Sequence, residues 1–102
     1  MTRIIEMEIN ELEIPKDMFK EIPLMTSAHL YMLSKATIAI SLEKSQDMAQ
    51  KSIWNAKIDV KETNNAFIFV LPQLVTNFYH ITPNNFSVSV SQKTDIIYVD
   101  ID

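Results

Sequence analysis

Side chains able to do chemistry are few in this chain and widely spaced. His29 and His80 are the only histidines and cysteine is absent, so one chain has no histidine cluster or thiolate set for a metal ion. Both imidazoles read as half-buried polar groups rather than proton relays. Asp95, Asp100 and Asp102 gather near the C-terminus. Paired carboxylates can exchange protons with a substrate, but on or beside a last strand they read as solvated groups that aid solubility. Serines are numerous, yet the chain has no glycine. The turn that presents a nucleophilic serine and the loops that cradle phosphates both need glycine. The expectation is a binding protein and not an enzyme, with no cofactor and no small-molecule substrate.

Charged and amide side chains suited to contact remain. The second half carries three lysines, Lys57, Lys61 and Lys93, with Asn64 and Asn65 in a turn between strands. These are the candidate DNA contacts. Net charge is −4 and Arg3 is the only arginine. Duplex binding normally relies on clustered cations, with arginine favoured for bidentate base contacts, so composition leans away from DNA. Glu6, Glu8, Glu11 and Glu13 form an acidic strip, either a solvated strand face or a contact for a basic protein partner. Trp54, Phe67, Phe69, Phe78, Tyr79, Phe86 and Tyr98 could stack single-stranded bases, but that mode also needs a cationic groove. Core or oligomer packing is the better reading.

With 102 residues and 47% apolar content, residues 1–102 make one compact domain, or two pseudo-repeats over 1–54 and 55–102. No apolar run approaches a membrane span, and the N-terminus turns acidic too early for a signal peptide. A cysteine-free composition is compatible with a reducing cytoplasm, so a cytoplasmic protein without membrane contact is expected.

Positioning these groups falls to short strands and helices. Ile5, Met7 and Ile9 alternate with polar residues, and the phase slips near Asn10, where a bulge or turn is expected. Pro15 ends that strand. Met18, Phe19 and Ile22 suggest a short amphipathic helix that Pro23 stops. Thr26 or Ser27 can cap a second helix through Leu33. Met18, Met25 and Met32, spaced by seven, read as core packing. Residues 37–42 alternate again, Ser45 can cap a short helix, and 54–60 form another alternating strand. Residues 66–71 are a continuous apolar run, suited to a strand buried on both faces. Pro72 then opens a two-turn helix with Leu74, Val75, Phe78 and Tyr79 at apolar spacing. Thr82-Pro83-Asn84-Asn85 is turn chemistry, and Phe86 to Ile101 reads as a hairpin.

Val70-Leu71-Pro72, a short helix, Ile81-Thr82-Pro83-Asn84 and two final strands resemble the swapped-hairpin domain of AbrB-type regulators and MazE-type antitoxins over residues 58–101. Asn64-Asn65-Ala66 is similar to the segment before that family's strand. His80 stands at the family's usual glycine position, which suggests a helix end. Val70 stands where MazE-like sequences often carry an arginine. The resemblance implies an α+β, mostly β fold, a swapped-hairpin-like small barrel with short helices following Pro15 and Pro72. It also implies a homodimer, DNA contact from the hairpin-top loops, and in some members toxin neutralisation. Residues 33–44 parallel 81–92 in character, so a degenerate second copy in the N-terminal half is an open reading. The competing reading is an acidic interaction or inhibitor module of a plasmid or phage with no DNA binding.

Overall fold

Period-two patterning sends alternate side chains to opposite faces and so builds most of this molecule. The computed structural model describes residues 7–102. Its strands are β1 (Glu11–Pro15), β2 (Ser27–Met32), β3 (Thr37–Ser41), β4 (Trp54–Glu62), β5 (Ala66–Val70), β6 (Phe86–Val90) and β7 (Ile97–Ile101). Two helices interrupt them, α1 (Gln46–Lys51) and α2 (Gln73–Tyr79), and Lys16–Met18 make one 3-10 turn. The fold is mostly β, a nearly closed, barrel-like sheet with short helical turns after Pro15 and Pro72.

The sheet order is β1-β5-β4-β2-β3-β7-β6, and every neighbouring pair is antiparallel. β4 makes the corner. Its residues 54–59 pair with β2, and Val60, Lys61 and Glu62 pair with β5. The inward residues meet across the registers: Leu12 opposite Phe69, Ile14 opposite Phe67, Leu30 opposite Ile40, Ile38 opposite Val99. All are buried in one continuous core. Each such side chain contributes about 1.5–3 kcal/mol of burial. Phe19 seals this core from outside the sheet, its ring edge-on to Phe67 at 5.7 Å between centroids.

Both proline-led turns form as the sequence expects, with different lengths. Pro72, at φ −60°, leads into α2. After Pro15 the chain makes only the 3-10 turn; Phe19 is buried and Ile22 is 60% exposed, so no amphipathic helix forms there. Pro23 leaves too few residues to nucleate one. Residues 27–32 are strand β2 and not a second helix. Sheet partners on both sides, β3 and β4, outweigh any capping preference at Thr26 or Ser27. Of the strand expected around 5–9, residues 5 and 6 lie outside the described residues. Met7–Ile9 are irregular, the chain bends at Asn10, and β1 starts at Glu11.

In α2 the core takes Val75 and Tyr79, while Leu74 and Phe78 stay 47% exposed. The helix carries two apolar stripes, and the buried one also carries a polar tether. The Tyr79 hydroxyl donates to the Ser34 carbonyl at 2.7 Å. His80 closes α2 in the left-handed conformation, φ 50° and ψ 57°. Among the described residues Asp95 is the other one at positive φ, 55°. A chain without glycine must place side chains at both left-handed positions. Ser45 caps α1 as expected, its Oγ accepting from the Met48 N–H at 3.2 Å.

Candidate functional site

β1 presents Glu11 and Glu13 outward while Leu12 and Ile14 point in. Glu11 is neutralised across the sheet: its Oε2 lies 2.9 Å from the Lys61 Nζ. Glu13 has no ion-pair partner among the described residues. Glu8 lies apart from β1 and meets His80 at 2.5 Å, joining the N-terminal segment to the end of α2. Glu6 lies outside the described residues. The acidic strip is therefore divided, with one carboxylate on a lysine, one on a histidine and Glu13 in water.

The lysines are likewise separated. Lys61 is held by Glu11, and Lys16 is held by Glu62 at 2.6 Å while its Nζ sits 5.4 Å from the Phe67 ring centre. Lys57 lies on the outer side of β4, opposite His29. It stands seven residues before Asn64, roughly 20 Å of extended chain. Asn64 and Asn65 occupy the β4–β5 turn, where Thr63 Oγ1 accepts the Ala66 N–H at 3.0 Å. Lys93 sits in the β6–β7 turn.

A chain of hydrogen bonds does bring two of the candidate loops to one end. The Asn65 carbonyl accepts from the Lys16 N–H at 2.8 Å. Two residues further on, Gln92 grips the same segment, its Nε2 donating to the Met18 carbonyl and its Oε1 accepting from the Lys20 N–H, both at 3.0 Å. Asn64, Asn65 and Lys93 thus share an end of the barrel, while Lys57 lies within β4 in one row with His29 and Ser41. Gln92 spans the gap between the chain after β1 and the chain after β6. It reads in sequence as an ordinary turn residue, and no local signal marks it.

His29 is half-buried, as expected, whereas His80 is exposed. The left-handed cap turns the His80 side chain outward, which corrects the half-buried reading. Among the described residues no group of three His, Asp or Glu side chains is placed to hold a metal ion. Asp100 accepts from the Thr37 hydroxyl at 3.1 Å. The Asp102 N–H donates to the Asn85 carbonyl at 2.7 Å, so the last strand is hydrogen-bonded to its end. Burial pushes the Tyr79 phenol up to about 12, which leaves it a hydrogen-bond donor near neutrality.

Hollows on the surface of the described residues include two of note. One, shallow and about 550 Å³, is bounded by Gln73, Leu74, Asn77 and Phe78 on α2. The other, about 500 Å³, lies between the β3–α1 connection and the β6–β7 turn, with Ser41, Glu43, Lys44, Ser45, Thr94 and Asp95 around it. No helix among the described residues is long and apolar enough to cross a membrane. Comparisons with protein-family models, with curated proteins and with solved structures find nothing that matches this chain.

Proposed function

We propose that this chain is a non-enzymatic binding module of the cytoplasm that acts through protein contact. The observation that carries the reading is the ion pairing on its outer face. Lys61, the candidate phosphate contact nearest Asn64 and Asn65 in the chain, is already engaged by Glu11. Phosphate binding gains from clustered free cations that release counterions together. An ion-paired Lys61 on a chain of net charge −4 favours a protein target instead. Glu13 on β1 supplies the charge for a basic partner surface. The test has two arms. Anisotropy with a labelled random duplex at about 50 mM salt is expected to show no binding. Tagged protein in its native host is expected to co-purify one stoichiometric protein, which Glu13→Lys releases. Duplex binding that weakens steeply with added salt would overturn the reading.

A second reading, an AbrB/MazE-like regulator or antitoxin-type protein, is supported by the order of elements over residues 58–101. A strand, Pro72, a short helix, a left-handed residue at His80, a turn and a hairpin occur in the sequence the resemblance implies. On that reading Asn64, Asn65 and Lys93 contact DNA from their shared end.

A further inference from the structure

β6 is a strand edge bridged to the chain after β1 by Gln92 just beyond its end, but its own residues carry neither of the usual protections, charge or proline. Directions alternate across the seven strands, so the two edge strands, β1 and β6, run the same way. An antiparallel pair cannot close the barrel between them, and they are not paired with each other. The Ser91 N–H donates to the Ile96 carbonyl at 2.8 Å, and the Asp102 N–H to the Asn85 carbonyl at 2.7 Å. These two bonds set the phase of the hairpin. Ser87 and Ser89 exchange their bonds with Asp100 and Tyr98 on β7. The N–H and carbonyl groups of Phe86, Val88 and Val90 therefore point to the open side. None of them has a backbone partner among the described residues.

The two edges differ in how they resist pairing. β1 carries Pro15, which has no N–H, and Glu11 and Glu13 on its outer side. Proline and like charges are how natural edges avoid one another. β6 reads Phe-Ser-Val-Ser-Val, with neither charge nor proline. Its pattern is also symmetric about Val88, with serine at 87 and 89 and apolar residues at 86 and 90.

We propose that β6 pairs antiparallel with β6 of a second copy, across a two-fold axis at Val88. In that register Val88 meets its own copy and Phe86 meets the partner's Val90, and every outward N–H and carbonyl on β6 is satisfied. Ser87 lies opposite the partner's Ser89 on the outer face. Phe86, Val88 and Val90, half-buried in one chain, are covered on the inner face. No like charges oppose each other, whereas a charged foreign strand finds no counter-charge on β6. This pairing leaves every strand in its own sheet, so it differs from interlocked hairpins. It does not depend on whether the target is a protein or DNA.

Charge-swapped edges test it by sedimentation equilibrium. Wild-type chain is expected at twice the single-chain mass. Ser87→Glu with Ser89→Glu, and Ser87→Lys with Ser89→Lys, are each expected to sediment as single chains with wild-type circular dichroism. Asp100, opposite Ser87 on β7, offsets part of the lysine repulsion and makes the glutamate pair the sharper variant. Mixing the two variants is expected to restore a one-to-one dimer. A wild-type chain that stays single at sub-millimolar concentration overturns the proposal, as do double variants that keep the doubled mass. If either variant fails to fold, wild-type amide exchange decides. The amides of Phe86, Val88 and Val90 should slow at least about tenfold between dilute and concentrated samples, and unchanged exchange overturns the pairing.

Discussion

Tyr79→Phe tests the tether between the buried face of α2 and the β2–β3 turn. The substitution keeps the ring, so Val75 and the core lose no packing and no cavity opens. It removes the hydroxyl that donates to the Ser34 carbonyl at 2.7 Å and lies 3.4 Å from the Thr37 carbonyl. Thr37 keeps its bond from the Leu33 N–H at 3.0 Å, and the exposed turn lets water reach Ser34. The loss near neutrality is therefore that of one ordinary hydrogen bond, about 1 kcal/mol. The pH dependence carries a sign. The folded-state phenol, desolvated by burial, titrates near 12 against an ordinary 10.0. A pKa raised on folding gives stability that is full below the unfolded value and falls as pH rises through the folded one. The wild-type advantage should hold from neutrality to pH 10 and shrink between pH 10 and 12. Paired urea melts across that range measure it, and other titrations cancel in the difference. A variant as stable as wild type at neutrality, or a gap that widens toward pH 12, would refute the tether.

Four further substitutions separate local from tertiary effects. His80→Gly relieves a left-handed side chain at the end of α2 and should raise stability by up to about 1 kcal/mol, because its exposed contact with Glu8 contributes little; a lower urea midpoint would contradict it. Gln92→Ala removes both bonds to the segment after β1 and should speed exchange of the Lys20 amide while leaving that of Ile38 unchanged; uniform acceleration would mean that Gln92 supports the whole core. Val75→Ala should cost about 1–3 kcal/mol and Phe78→Ala under about 1 kcal/mol, because the larger side chain is the exposed one; thermal melts showing the reverse order would place the other stripe of α2 in the core.

Local chemistry was enough for much of this molecule. Alternation at 37–42, 54–60 and 86–90 placed β3, β4 and β6, because side chains alternate between the two faces of a strand whatever its partner, although β3 proves buried on both faces. Proline placed the turns after residues 15 and 72, and Ser45 placed the start of α1, since fixed φ and capping act within a few residues. Other features depended on the assembled sheet. Residues 27–32 became a strand because β3 and β4 flank them, and which of the two apolar stripes of α2 faces inward is set by the sheet it packs on. The scattering of the lysines and the gap between β1 and β6 follow from strand order, which no single segment encodes. A segment's pattern states which of its sides avoids water; only the order in which segments meet determines what lies beside it and which edge is left without a neighbour.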